Sequence, residues 1–123
     1  MSIIRIKTVQ PSLDELFAYS SDKRWDVENS GFELGNMHIA TDDRSKTMIT
    51  GARIKADGDE NFTTPWKTPD GTFTRIDAAT IIAISDAVLD HVADCFDKEE
   101  AVASGILSGT ITTLEQINSA WKS

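Results

Sequence analysis

The strongest constraint in this sequence is a doubled apolar lane between Ala78 and Ser104. Ile81, Val88, Cys95 and Val102 recur every seven residues, and Ile82, Leu89, Phe96 and Ala103 repeat one position later. Together with Ser85 and Val92 they form one wide stripe at helical period, which predicts a long helix from about Ala78 to Ser104. Asp77 stands where an N-cap side chain would accept from the helix's first amides. A helix this greasy on one side must bury that side. The other elements are therefore expected to lie against it.

Those elements are short. Ile4, Ile6 and Thr8 alternate with Arg5 and Lys7 as a half-buried strand does, and Pro11 ends the run. Ser12 then caps a short helix, with Asp14 and Glu15 in its first turn and Leu13, Leu16, Phe17 and Tyr19 as its apolar face. From Met1 to about Asp22 this reads as a separable arm, too small to hold a core of its own. Trp25 to Ala40 carries Val27, Phe32, Leu34, Met37 and Ile39 around Gly35-Asn36, a hairpin signal. Thr41, Asp42 and Asp43 open a helix to about Ala56, with Met48, Ile49, Ala52 and Ile54 as core candidates. Gly51 inside it suggests a close helix approach. Thr68-Pro69-Asp70-Gly71 between two apolar-bearing segments predicts a second hairpin, with Trp66 and Phe73 on its faces. Thr112 or Thr113 caps a last helix through Leu114, Ile117 and Trp121. The expected fold class is α+β: a small antiparallel sheet of hairpins packed on the long C-terminal helix, plus short helices. The arm occupies residues 1–22 and the domain residues 23–123.

Few functions survive the composition. The 123 residues carry 12 Lys and Arg against 20 Asp and Glu, a net charge of −8. Such a surface suits neither nucleic acid nor an acidic membrane, both of which are gripped by clustered cations. A single cysteine, Cys95, excludes an intramolecular disulfide. Synthesis in the cytoplasm is expected, since the first residues alternate and form no signal-length apolar run.

The candidate chemical clusters each fall short. His91 and Cys95 lie four apart and Asp94 is adjacent, but zinc needs three or four ligands and the other histidine, His38, sits in a hairpin. Asp57, Asp59 and Asn61 imitate the start of a calcium loop, yet Phe62 replaces its glycine and Thr68 its closing glutamate. Asp86, Asp90, Asp94 and Asp97 make an acidic strip that reads as a solvated face or as an edge for a basic partner. There is no phosphate loop, Gly-x-Ser-x-Gly or His-Glu-x-x-His. No cofactor, metal ion or catalytic residue is expected.

Several strings together resemble a known family. They are Gly31-Phe32-Glu33-Leu34-Gly35-Asn36-Met37-His38-Ile39-Ala40-Thr41-Asp42; Ser45 with Ile49-Thr50-Gly51-Ala52; Trp66-Lys67 with Asp70-Gly71; Ile76-Asp77-Ala78; Ala87 with His91-Val92 and Cys95; and Leu114 to Trp121. In that order they resemble a domain family of tailed bacteriophages and prophages, encoded among tail-fibre and tail-assembly genes, over about Trp25 to Trp121. The resemblance implies a non-enzymatic tail protein, a structural subunit at the tail-fibre or baseplate end that docks on other tail proteins. The alternative is a tail-fibre assembly chaperone absent from the virion, and behind it a lysis or wall-degrading enzyme. On this reading Ile4, Ile6, Leu13, Leu16, Phe17 and Trp121 are the partner-docking residues. Self-association stays open, and the expected location is the virion tail.

Overall fold

The structure, a computed structural model, describes residues 10–122. Its elements are α1 (Leu13–Glu28), β1 (Phe32–Leu34), β2 (Met37–Ile39), α2 (Asp43–Gly58), β3 (Thr63–Lys67), β4 (Phe73–Asp77), α3 (Ala78–Ser108) and α4 (Leu114–Trp121). The strand expected at Ile4–Ile6 lies outside the described residues. The fold is α+β, with four helices and two antiparallel two-stranded sheets, β1–β2 and β3–β4.

Local chemistry accounts for most boundaries. Ser12 Oγ accepts from the Glu15 amide at 3.1 Å while Glu15 Oε1 accepts from the Ser12 amide at 3.4 Å, a reciprocal cap on α1. That helix was expected to be short, but it runs on through Trp25 and Val27 to Glu28. Trp and Val cost only a few tenths of a kcal/mol in a helix, and no glycine or proline interrupts before Asn29-Ser30-Gly31. Asp42 caps α2, and Asp77 caps α3 by accepting from the Thr80 amide at 2.9 Å. Both carboxyls are held below the usual aspartate range, Asp42 chiefly by the Ser45 hydroxyl and Asp77 by its bonds from Thr80. Thr113, not Thr112, caps α4, in a capping box with Gln116.

Each hairpin is set by its turn. Leu34 pairs with Met37, so Gly35-Asn36 is a two-residue loop, and Gly35 takes the positive φ of 61° that a type II′ turn needs at its first position. In the second hairpin Lys67 pairs with Phe73 across a five-residue loop. There Pro69 is second and Gly71 fourth in a turn closed by the Gly71 amide on Thr68 O at 2.9 Å. Asp70 accepts from the hydroxyls of Thr68 and Thr72, which pull its carboxyl down to a pKa of about 2.

The described residues divide into two units, residues 10–24 with 97–122, and residues 25–96. In the first, Leu16, Val102, Ile106 and Ile117 form the core, flanked by Phe17, Tyr19, Ile111, Ala120 and Trp121. Tyr19 Oη donates to Asn118 Oδ1 at 2.8 Å, and Glu99 accepts from Ser21 and Arg24 at 2.9 Å each. In the second, both hairpins and α2 close over α3. Ile39, Ile49, Ala56, Ile76, Ala78, Ile81, Ile84 and Val88 are its core.

Two expectations for α2 change. Met48 and Ile54 are exposed, whereas Ile49 and Ala52 face the core as expected and Ala56 joins them, at the i, i+3, i+7 spacing of one helical lane. A Cβ at Gly51 would meet no neighbour within 4 Å, so no close helix approach explains the glycine. Gly51→Ala should therefore raise stability by about 0.5–1 kcal/mol, read as a higher urea midpoint, because alanine loses less backbone entropy in a helix.

Candidate docking surface

The expected docking residues fall in different environments. Ile4 and Ile6 lie outside the described residues. Leu13 is 55% exposed on the first turn of α1. Leu16, one turn along, is buried within the core of its unit and spends its apolar surface there. Phe17 and Trp121 are half-buried against the same core. The Lys98 ammonium sits 5.6 Å from the centre of the Trp121 ring, while the indole Nε1 is buried without a hydrogen-bond partner among the described residues. Of the four described, Leu13 alone presents most of its side chain outward.

The unit of residues 25–96 holds a feature that sequence reasoning missed. A concavity of about 670 Å³ opens between α2 and both hairpins, with Met48, Ile49, Trp66, Phe73, His38 and Lys67 among its lining. Met48 and Phe73 stand on it 63% and 67% exposed. Its volume is of the order of small-molecule sites, and its walls are mostly apolar with few polar groups. His38 is held by its cross-strand neighbour Glu33, whose carboxylate accepts from Nδ1 at 2.6 Å. The alternation of Trp66 and Phe73 about the hairpin turn was the available signal. Met48 gave none, because helix spacing alone cannot tell a rim from a core.

Beneath the first hairpin lies a buried polar cluster. Thr41 Oγ1 donates to Glu28 O at 2.5 Å and accepts from the Gly31 amide at 2.9 Å. His91 Nε2 lies 3.2 Å from both Val27 O and Glu28 O. Both are acceptors, so that nitrogen carries the proton. The ring also stacks on Phe32, with centroids 5.1 Å apart. Lys46 Nζ donates to Glu28 Oε2 at 2.5 Å. Burial works against the Lys46 charge, but the bond and field of Glu28 outweigh it and hold the ammonium's pKa above the ordinary lysine value. These groups satisfy the carbonyl end of α1, a structural task. Cys95 is buried, and no cluster of three or more His, Cys, Asp or Glu among the described residues could hold a metal ion.

The acidic strip is paired at one end. Arg53 donates to Asp57 at 2.9 Å and to Asp86 at 2.8 Å, which lifts its own pKa further. Asp90 and Asp94 are exposed and make no ion pair among the described residues.

What these features define is a small α+β domain that presents apolar concavity and acidic helix surface. Residues 13–120 match DUF4376, a domain of unknown function, and the chain belongs to that family. Neither the curated proteins nor the solved structures contain a match to it. No helix among the described residues is long and apolar enough to cross a membrane.

Proposed function

We propose that this chain is a non-enzymatic bacteriophage tail protein, a structural subunit at the tail-fibre or baseplate end that works by docking on other tail proteins. The ordered motif set from Gly31 to Trp121 supports the tail setting, through its resemblance to a phage and prophage family. The observation that carries the docking role is the apolar concavity of Met48, Trp66 and Phe73, large side chains left partly open to water. A concentrated apolar surface of this kind is stabilised by a partner that covers it, and one aromatic anchor at an interface contributes about 2 kcal/mol or more.

Mass spectrometry of purified particles from the phage or induced prophage that encodes the chain tests the proposal. Recovery in fixed ratio to a tail-fibre or baseplate protein is expected. Absence from particles, with the chain bound to the fibre protein in the lysate, would replace the subunit with the assembly chaperone. Absence from both would overturn the tail assignment.

A further inference from the structure

The stripe on α3 is wider than the core it serves. Ile81 and Val88 are buried in the core of the 25–96 unit, and Cys95 is buried two turns further on. The next lane round the helix starts on the core at half-buried Ile82 and then leaves it: Leu89 remains 67% exposed and Phe96 49%. They are seven residues apart, about two turns, and so stand above one another on one face. Exposed Ala93 lies between them on the same side. On the flank of that lane away from the core run Asp86, Asp90 and Asp94, spaced four apart along about 12 Å of helix. Like charges at this spacing repel by a few tenths of a kcal/mol per pair. Of the three, Asp86 is met by Arg53, while Asp90 and Asp94 make no ion pair among the described residues.

An apolar ridge beside a row of carboxylates is half of a heterotypic helix pair. Its complement carries an apolar stripe to cover Leu89 and Phe96, with lysine or arginine along one flank to meet Asp90 and Asp94. We infer that the Leu89–Phe96 ridge of α3 is a docking face for a basic amphipathic helix of another protein. A second copy of this chain is a poor occupant, because it brings the same net charge of −8 and the same acidic row. An acidic helix is poorer still. The inference rests on the docking reading above only in assigning a partner at all. It needs no tail context, so its failure and the failure of the tail assignment are separate results.

The test uses the whole chain and two synthetic helical peptides of equal length, with leucines at i, i+3, i+4 and i+7 and a polar flank of either lysine or glutamate. Fluorescence anisotropy gives the dissociation constants, and circular dichroism of each variant confirms folding. The lysine peptide is expected to bind, and the glutamate peptide to bind at least about tenfold more weakly. Leu89→Ser with Phe96→Ser should weaken the lysine peptide about tenfold or more, as loss of two central apolar anchors does. Asp90→Asn with Asp94→Asn should weaken it several-fold and flatten its salt dependence. The charge-matched control Asp22→Asn with Glu60→Gln, at exposed residues outside α3, should leave it within about twofold. Equal losses for control and Asp90/Asp94 variants would reduce the effect to net charge and overturn the inference. So would unchanged binding after the Leu89/Phe96 substitutions, or a wild-type dimer in sedimentation that those substitutions dissolve.

Discussion

Ile39→Ala and Ile117→Ala should each lower the free energy of unfolding by about 2–5 kcal/mol, the range for truncating a fully buried aliphatic side chain. Both residues have no exposed surface, and they sit in different cores. Ile39 closes the first hairpin onto Ile49, Ile84 and Val88, and Ile117 joins α4 to Leu16, Val102 and Ile106. Each substitution removes apolar area and leaves a cavity whose lining loses its dispersion contacts. Ile54→Ala is the contrast. That side chain is also a helix isoleucine, but it is 69% exposed, so its loss should stay within about 0.5 kcal/mol. Urea unfolding followed by circular dichroism reads all three. A cost at Ile54 equal to that at Ile39 would mean that burial does not set the energetics of this fold.

The same comparison shows where sequence reasoning succeeds. α3 was legible because its lane at Ile81, Val88, Cys95 and Val102 is long enough for period to outweigh accident, and Asp77 marks its start by a local bond to Thr80. Both hairpins were legible because turn chemistry is local: Gly35 supplies a positive φ, and Pro69 and Gly71 bracket a tight loop. That the hairpins form two separate sheets was not legible, since nothing in a strand names its neighbour beyond its own turn. Helix faces were legible to within a lane. Met48 and Ile49 are adjacent and equally apolar, and only the neighbours that reach α2 decide that Ile49 is core and Met48 is rim. The second lane of α3 shows the same limit, because Leu89 obeys the heptad as well as Val88 does yet stands in water.

The polar cluster at the end of α1 escaped for a different reason. Thr41 and His91 hold backbone carbonyls that lie far off in the chain, and a side chain that bonds to backbone carries no recognisable partner residue. His91 with Cys95 at i, i+4 resembled half of a metal site in sequence. In space, one is occupied by two carbonyls and the other is packed away. Spacing proposes a shared face, and burial then decides what that face can do.

Gly31→Ala should be among the most damaging single substitutions in the chain. Gly31 has φ 80°, and a Cβ there would stand 2.7 Å from Ile39 O and 2.8 Å from His38 Nε2. The left-handed backbone costs a residue with a Cβ about 1–2 kcal/mol. The contact with Ile39 O is with backbone, so relief requires shifting β2 or the Gly31 peptide, and overpacking of this kind adds about 1–3 kcal/mol. Either shift also disturbs the Gly31 amide on Thr41, and with it the hydroxyl that holds Glu28 O. Gly35→Ala separates the two contributions, since φ there is 61° and nothing lies within 4 Å of the added carbon. It should show the dihedral cost alone. Urea midpoints are expected to fall for both variants, and further for Gly31→Ala by the equivalent of about 1 kcal/mol or more. Equal midpoints would mean that the first hairpin yields freely at this point and that the Thr41 cluster does not fix its approach to α1.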